Sequence, residues 1–503
     1  MKTTKKVISV ICVVAMLIGA LSCVAVAAGD VNYTIINPYE GVDFKTYKQY
    51  KTDLHSHTTQ SDGGNTLKEQ IEAHYGYDFD AYAVSDHGTV SYTWTDSVVV
   101  PTFKVGVSVK DFEVTDLECL EADGGYTSDG GKYYFSSEKL SDAEGDTQDY
   151  YWQEGSEDHK MMRVPYAIEN NPTSLNNAHV NSWFADYGHG ILGGTSDYET
   201  PIKSVDELGG LSVINHPGEY TSARDEEETA DAYDYSNTHY AYVIDKFTNL
   251  LEKYPTCIGI DMNSKGDTRT RYDRKLWDIL LMNVVPTGRN VFGICTSDSH
   301  NANIIYSGYV EMLMPELTVD ALKNCMANGQ FFGCSKYIGN PEELTEIANY
   351  CVDSGNKTAT RVGQQILDAQ KENAKCKYEA DLAIDAPVIN NVVVDDDADT
   401  ITISAKDALC IRWIANGETI AYGDKIDLDD YSSDIGSYVR AEIFGEGGIV
   451  YTQAFMLKYT GAPSVSKDGF IDFWFLASFI PDSLIKLLGA LPIFEIIWGW
   501  VQG

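Results

Sequence analysis

Apolar and polar residues alternate over residues 52–57 and then give way to Ser-Asp-Gly-Gly, which predicts a short strand followed by a loop. A helical repeat over residues 65–77 and an apolar strand over residues 80–87 come next. The same order continues along the chain, with strands at residues 210–217, 257–263 and 290–300 and helices at residues 240–253, 274–283 and 318–328. Strands that alternate with helices predict an α/β fold with parallel strands.

Three further segments differ from the α/β segments in composition and in their pattern of apolar and polar residues. Residues 111–158 hold 15 acidic residues against two lysines, which predicts an acidic insertion over about residues 99–164, either a lid over a site or a solvated loop. Short alternating strands with intervening turns predict a small β-sandwich of the immunoglobulin-like kind at residues 386–460. Residues 346–385, between the two folded parts, are expected to form a partly helical linker.

The start of the chain suggests export. Residues 1–27 combine lysines, an apolar run and Ala-Val-Ala, which is typical of a cleaved signal peptide, so the protein is expected to be secreted or held at the cell surface. Cys23 as a lipid-anchored N-terminus is the alternative.

The apolar tail at residues 461–503 is interrupted by charges and prolines, so its runs fall short of the ~20 residues that span a bilayer. Residues 470–500 could dock on the protein, lie in a membrane interface or contact a partner.

The charge of the chain limits its partners. Removing residues 1–27, with their three lysines and no acidic residue, changes the formal net charge from −38 to −41. A surface this acidic repels nucleic acid and anionic lipid headgroups, and the sequence contains no basic stripe that would offset the repulsion. We therefore expect no nucleic acid polymer as a partner. A small ligand held by local cations is easier to accommodate.

Histidines and acidic residues are concentrated where the predicted strands end. His55 and His57 lie two positions apart, so in a strand they point to the same side. The full set comprises six histidines and three acidic residues: His55, His57, Asp62, His87, Glu169, His179, His216, Asp298 and His300. In a closed parallel barrel the carboxyl ends of all strands face the same end of the barrel, so these side chains can meet there. Imidazole together with carboxylate is the ligand set of zinc, manganese and iron. So many ligands suit two or three divalent ions better than one.

The charge of such a site indicates a substrate. With neutral histidines the ligands contribute three negative charges, so two divalent ions would leave about +1 and three about +3 in a strongly acidic protein. A negatively charged phosphate ester would match this net positive charge. Clustered metal ions can also provide a hydroxide as the nucleophile. Asp86 and His216 are the candidate catalytic residues. Arg224 and Arg271 are candidates for binding the substrate, although a solvated surface position is the more ordinary place for an arginine.

Four segments of the sequence form a recognisable series. They are Asp53-Leu-His55-Ser-His57-Thr with Ser61-Asp62-Gly63, Ser85-Asp86-His87, Asn215-His216-Pro217 and Ser297-Asp298-Ser299-His300. In this order they resemble the four motifs of the polymerase-and-histidinol-phosphatase (PHP) superfamily, over about residues 40–340. The resemblance implies a distorted, TIM-like (β/α)7 barrel over residues 28–345, a site for two or three zinc, manganese or iron ions, and hydrolysis of small phosphate esters.

The resemblance also implies a bridging Glu and a His between the second and third motifs. Glu169 and His179 fit best, although Glu169 lacks the usual Pro-Gly lead-in, and Glu113 is the alternative carboxylate. Asp62 stands where some members have a His, which makes it a weaker ligand or a neighbour of the ligands.

Taken together, the sequence predicts an exported, metal-dependent phosphoesterase that acts on a small phosphorylated substrate. Two alternatives stay open. The same metal-bound hydroxide could hydrolyse a carboxylic ester or amide, or the protein could be a cell-surface binding protein that has kept its ligands without turnover. The sequence specifies neither the substrate, nor the metal, nor the oligomeric state.

Overall fold

The computed structural model describes residues 31–95, 99–101, 112–114, 125–126, 132–138, 148–170, 178–191, 198–221, 223 and 232–464. The expected signal peptide, Arg224, residues 465–503 of the tail and much of the acidic insertion lie outside this part of the chain.

The described residues contain seven α-helices. They are α1 (Leu67–Gly76), α2 (Glu199–Glu207), α3 (Thr238–Lys253), α4 (Asp273–Val284), α5 (Val319–Asn328), α6 (Pro341–Asp353) and α7 (Lys357–Glu372). The first helix shows how the sequence sets its start, because Thr66 and Glu69 form a reciprocal capping box in which each side chain accepts from the backbone N–H of the other. As far as the structure describes the chain, every helix is too short or too polar to cross a bilayer.

Strands make up most of the remaining regular structure. The first 18 are β1 (Thr34–Ile36), β2 (Lys48–Asp53), β3 (Ala81–Tyr82), β4 (Val99–Pro101), β5 (Phe112–Val114), β6 (Gly125–Tyr126), β7 (Lys132–Glu138), β8 (Gln148–Gln153), β9 (Met161–Arg163), β10 (Ile168–Asn170), β11 (Val180–Trp183), β12 (Leu211–Ile214), β13 (Cys257–Asn263), β14 (Phe292–Cys295), β15 (Gly308–Met314), β16 (Phe331–Ser335), β17 (Tyr337–Ile338) and β18 (Tyr378–Glu379). The last eight are β19 (Val388–Asp395), β20 (Thr400–Lys406), β21 (Cys410–Ala415), β22 (Glu418–Tyr422), β23 (Lys425–Asp427), β24 (Tyr438–Gly445), β25 (Gly448–Tyr451) and β26 (Phe455–Lys458).

Two groups of parallel strands form the α/β part. In one sheet β2, β3 and β9 are parallel neighbours, and in the other β12, β13 and β14 are. Isolated parallel bridges between Ser56 and Ser299 and between His87 and Glu169 connect the two sheets. The mixed α/β class is as predicted.

The closed seven-stranded barrel expected from the sequence is not confirmed among the described residues. The strands divide between two sheets that single bridges connect, and β11 runs antiparallel to both of its neighbours, β10 and β12. The predicted insertion also contributes to the framework, because β9 at its end pairs with β3 and buries Met161 and Met162 completely. Periodicity within a segment does not encode the direction of its partner strand, so this arrangement was not visible in the sequence.

Apolar side chains fill the space between the two parallel groups. Leu54, Ala83, Val213 and Ile294, one from each of four strands or strand ends, belong to one buried cluster and expose none of their surface. Helices α3 and α4 pack outside the second sheet through a separate cluster that includes Trp277. This packing fixes the ends of the strands relative to one another, and those ends carry the candidate ligands.

The C-terminal strands continue the sheet of the α/β part. Strand β25 pairs antiparallel with β16, and β26 pairs with β1 at the start of the chain. A three-stranded sheet of β19, β20 and β23 shares an apolar cluster with β21 and β24 that contains Trp413 and Ile401. The sandwich predicted for residues 386–460 thus differs from a separately folded unit, since one of its sheets is continuous with the α/β part.

The segment predicted as a linker is packed into the protein. Helices α6 and α7 bury Leu344, Ile347 and Val362 in the same apolar cluster as α3 and α4. The polar composition of residues 341–380 concealed this, because each helix has a single apolar stripe and an exposed polar face. All seven cysteines in the described residues are free thiols.

A chain of buried charges connects the C-terminal strands to the α/β part. Arg440 on β24 makes two 2.7 Å bonds to Asp278 on α4 and one of 2.6 Å to Glu442. Glu442 also accepts from Arg412 on β21, and the two arginines lower the pKa of Glu442 to about 2 against the opposing effect of burial. These buried charges neutralise one another, so removing one of them leaves its partners buried with less compensation.

The substitution Arg440→Met is expected to lower the free energy of unfolding by about 3 to 5 kcal/mol, because Asp278 and Glu442 would stay buried without their shared cation. Chemical denaturation of the purified protein measures the change. Lys203→Met, which removes an exposed ion pair with Glu207, is the matched control and should cost less than about 1 kcal/mol. Equal losses in the two variants would contradict this account of the buried chain.

Candidate metal centre

Three sets of backbone pairings bring the strand ends together. His57 N–H donates to Ser299 and Asp298 N–H donates to His55, which places the first and last motifs side by side although about 240 residues separate them. In the same way Glu169 N–H donates to Ser85, and Asn215 N–H donates to His179. The ligand-like residues are therefore positioned by main-chain hydrogen bonds as well as by side-chain packing.

The loop after His57 folds back tightly on the strand end. Gly63 N–H donates to Thr58, and Gly64 N–H donates to the carbonyl of His300 at 2.7 Å. A Cβ on Gly63 would lie 2.7 Å from the carbonyl carbon of His57, so only glycine fits there. The loop therefore holds Asp62 next to the first and last motifs.

Glu169 lies at the centre of the site and is 1% exposed. Its Oε2 is 3.1 Å from His87 Nδ1 and 3.3 Å from His57 Nε2. Its Oε1 is 2.6 Å from His179 Nδ1 and 3.1 Å from His216 Nε2. One carboxylate thus contacts histidines from four different parts of the chain.

Asp298 is the second buried carboxylate. Its Oδ1 lies 3.2 Å from His55 Nε2 and 3.3 Å from His57 Nε2, and its Oδ2 lies 3.2 Å from His216 Nε2. Asp298 and His216 both have positive φ, +43° and +21°, at the ends of their strands. Such strained backbone persists where the surroundings impose it, and here it turns both side chains into the site.

The third carboxylate, Asp62, lies on the open side. Half of its side chain is exposed, and its oxygens lie 3.3 Å from His300 Nε2 and 3.6 Å from His57 Nδ1. The ring of His300 is itself partly exposed and stacks near that of His57, with centroids 4.3 Å apart. This edge is where a substrate can reach the site.

The donor set fits divalent metal ions. Five overlapping groups of three donor residues have their ligand atoms within 4.8 Å of one another. Two ligands held about 2.0 to 2.1 Å from one tetrahedral ion lie roughly 3.4 Å apart, and most of the nitrogen-to-oxygen distances in the site fall between 3.1 and 3.6 Å. Among the described residues, Asp298 Oδ1 is surrounded by imidazole nitrogens, and Oδ2 lies near His216 and the ammonium of Lys265. Buried carboxylate oxygens in that position are suited to a cation.

The pKa values divide the histidines of the site into two kinds. Burial lowers the pKa of His55 and lowers that of His87 to about 3, so these two rings are neutral. Burial opposes the charged form of His57, but bonds to Asp298 and Glu169 outweigh burial and hold its pKa well above the usual value. The same two carboxylates raise the pKa of His216 to about 9 against burial. The pKa values of Glu169 and Asp298 are held well below the usual range by the surrounding cations, although burial acts the other way. Metal binding would replace protons on these rings.

A further set of side chains orients the ligands. Ser85 Oγ lies 2.6 Å from His55 Nδ1, which leaves Nε2 directed at the carboxylates. Asp53 accepts from Ser297 Oγ at 2.5 Å and lies 3.1 Å from His74 Nε2 behind the site. His74 thus has a structural role behind the site, bonded to Gln70 and Asp53.

The structure places Asp86 behind the ligands. Its carboxylate accepts from Thr58 N–H at 2.7 Å, Thr58 Oγ1 at 2.6 Å and Ser61 Oγ at 2.5 Å. Asp86 therefore holds the loop after His57 in place. The other catalytic candidate, His216, contacts both buried carboxylates and so belongs with the ligands.

The remaining sequence candidates lie elsewhere. Arg271 is buried and donates to the carbonyl of Thr268, within its own loop. Arg224 lies outside the described residues, as does the side chain of Glu113 on β5. Neither substrate-binding arginine predicted from the sequence is thus placed at the metal centre by the described part of the structure.

Sequence reasoning missed Lys265, Glu219 and Tyr220. Lys265 Nζ is 2.9 Å from Asp298 Oδ2 and 2.8 Å from Glu219 Oε2, and Arg269 pairs with Glu219 on the other side. Tyr220 packs on the ring of His179 at 4.3 Å between centroids. Lys265 lies just after β13, a strand that ends without a histidine, so the motif pattern did not draw attention to it.

Comparisons with known proteins give distant structural likenesses only. No family model and no curated protein matches the chain. A two-domain protein of Bacteroides vulgatus, described as containing a predicted PHP-like metal-dependent phosphoesterase, is 13% identical with a TM-score of 0.35, over 84% of this chain and 90% of that one. PsfC of Pseudomonas syringae is 13% identical with a TM-score of 0.29, over 55% of this chain and 88% of that one.

A third solved structure, the lesion-specific endonuclease EndoQ of Pyrococcus furiosus, is 10% identical with a TM-score of 0.28, over 55% of this chain and 56% of that one. The first of the three is described by the same family name that the four sequence motifs resemble. These likenesses are distant, so the function proposed below depends on the geometry of the site.

The substitution Glu169→Gln is expected to remove at least about one bound metal ion per chain, because the charge that contacts four histidines is lost. Elemental analysis of the purified protein measures the content. His159→Gln, a histidine that stacks on Tyr75 away from the cluster, is the matched control and should leave the content unchanged. Unaltered metal content in Glu169→Gln would remove Glu169 from the ligand set.

Proposed function

We propose that this protein is a metal-dependent phosphoesterase of the PHP type that hydrolyses small phosphate esters. The observation that carries the proposal is the convergence of nine side chains from distant strand ends on one centre. We assign them as ligands of two or three divalent transition-metal ions, zinc, manganese or iron: His55, His57, Asp62, His87, Glu169, His179, His216, Asp298 and His300.

Electrostatics favours a phosphate ester as the substrate. The three carboxylates of the site are fewer than the positive charges that two or three divalent ions would bring. Lys265 and Arg269, with Glu219 between them, add one further net positive charge. The rest of the protein is strongly acidic, so the site would be a local positive spot. A compact dianion fits such a spot better than a neutral ester does.

Divalent ions bound here would polarise the phosphoryl group and make water a better nucleophile. The chain's own residues then have separate tasks. Lys265 is positioned to stabilise negative charge on a phosphoryl oxygen, since its ammonium already lies 2.9 Å from a ligand carboxylate. Burial and nearby carboxylates raise the pKa of Tyr220, so its hydroxyl keeps its proton and can donate it in a hydrogen bond.

The exposed edge supplies a route for the leaving group. His300 Nε2 lies 3.3 Å from Asp62 Oδ2, and both side chains are accessible. With both side chains engaged as ligands, the departing alkoxide would take its proton from solvent at this edge. Export through a cleaved signal peptide and surface contact through residues 470–500 are part of the same proposal and depend on the sequence of those segments.

The purified protein is expected to hydrolyse a generic chromogenic phosphate monoester with manganese or zinc present. Treatment with a chelator should abolish turnover, and added metal should restore it, because the site residues need the ions to activate water. The matching carboxylic ester should be turned over much more slowly. Turnover of the carboxylic ester alone would overturn the phosphate assignment, and bound metal without turnover of either ester would favour a binding protein.

The substitution Lys265→Met should lower kcat/KM for the phosphate ester by about 100-fold, because one donor to the developing charge is lost. Steady-state kinetics at saturating metal measures the effect, and elemental analysis should show unchanged metal content. Lys203→Met, on the exposed face of α2, is the matched control. A Lys265→Met enzyme with wild-type kinetics would exclude this lysine from the reaction.

A further inference from the structure

A second polar cavity lies on the outer face of the sheet, among residues of β2, β15 and β16. Lys51 on β2 and Glu311 on β15 are direct cross-strand partners, so their side chains emerge on the same face. Lys336, which follows β16, lines the same cavity. None of these residues belongs to the groups that form the metal centre.

The cavity is closed on its far side by residues 382–388, which lead into the C-terminal strands. Its volume of about 280 Å³ is at the lower end of the range for ligand pockets, so it suits a molecule of few heavy atoms. Tyr77, Leu382 and Val388 line it with 40%, 47% and 37% of their surface exposed. These are three of the seven large apolar side chains that the described residues expose, and their concentration here indicates an apolar contact for a ligand.

Lys51, Lys336 and Glu311 form no close ion pair with one another, although Lys51 and Glu311 attract each other at longer range. Lys51 Nζ donates to the carbonyl of Tyr77 at 2.8 Å and lies 4.4 Å from the centre of the Phe79 ring. Lys336 Nζ donates to the carbonyl of Ile384 at 2.6 Å. Across the described residues, the ion pairs within 4.0 Å include neither of these lysines, nor Glu311.

Partly buried charges without an ionic partner are costly, and their pKa values show it. Burial lowers the pKa of Lys51 and of Lys336, and the two ammonium groups repel each other. Burial also raises the pKa of Glu311 to about 8. A ligand that supplies the missing opposite charges would relieve this cost.

We propose that this cavity binds a small zwitterion of amino-acid size. The two lysines complement a carboxylate. Asp385 complements an ammonium group, and so does Glu311 once its carboxyl gives up its proton to pair with that group. A simple anion would meet the two acidic residues, and a simple cation would meet the two lysines. The apolar rim formed by Tyr77, Leu382 and Val388 would contact an aliphatic or aromatic side chain.

The test uses the purified full protein and the twenty common L-amino acids, each at about 10 mM, in thermal unfolding and then in calorimetric titration. At least one amino acid is expected to raise the unfolding temperature and to bind. Its analogues that lack the amino group or the carboxylate should bind about tenfold more weakly or worse. Failure of all twenty to bind would overturn the proposal, and equal binding of the carboxylate-only analogue would replace it with a plain anion site.

Two variants test whether the charged residues of the cavity bind the amino acid. Lys336→Met and Glu311→Gln should each weaken binding of the amino acid by about tenfold or more, while their unfolding temperatures without ligand show that both are folded. Lys406→Met and Glu316→Gln change exposed residues outside the cavity and should bind as the wild type does. Undiminished binding by both cavity variants would place the ligand elsewhere. Phosphate-ester turnover should persist in both, since the cavity and the metal centre share no residue.

Discussion

The arrangement of the α/β part depends on the burial of two carboxylates, Glu169 and Asp298, each about 1% exposed. A buried carboxylate is tolerated only with a cation or with hydrogen-bond donors around it. Here imidazoles from distant strand ends, together with Lys265, surround both groups. Without this neutralisation the strand ends would repel one another through the negative charge they enclose, so the fold and the site are stabilised by the same contacts.

Several polar residues lie outside the ring of candidate ligands and away from the place where a substrate would bind. They still determine the geometry of the site. Asp86 fixes the loop after His57, Ser85 fixes the ring of His55, and Asp53 connects Ser297 to His74. Such neighbours set which ring nitrogen faces inward, and their loss is felt in metal affinity even though they bind no metal themselves. They explain why the motifs contain more polar residues than a set of ligands requires.

The sequence could indicate candidate ligands because their signal is local. A histidine or aspartate at the end of an apolar strand, such as His87 or Asp298, is visible in a window of a few residues. Lys265 and Glu219 lie in irregular segments beside the site, where no periodicity marks them. The antiparallel direction of β11 depends on contacts between segments far apart in the chain, and so does the pairing of β16 with β25. Periodicity therefore could not predict the division of the strands between two sheets. It also could not predict that the C-terminal strands continue one of these sheets.

The pairing of β16 with β25 has a mechanical consequence. A protein whose modules are connected only by a flexible segment can open and close around a hinge, and many enzymes use that motion to admit substrate and expel water. Here main-chain hydrogen bonds run without interruption from β2 through β15 and β16 into β25. Rotating the C-terminal strands away would break that ladder and expose its donors and acceptors. The C-terminal strands therefore brace the strand ends that carry the candidate ligands, and the two parts form one continuous frame.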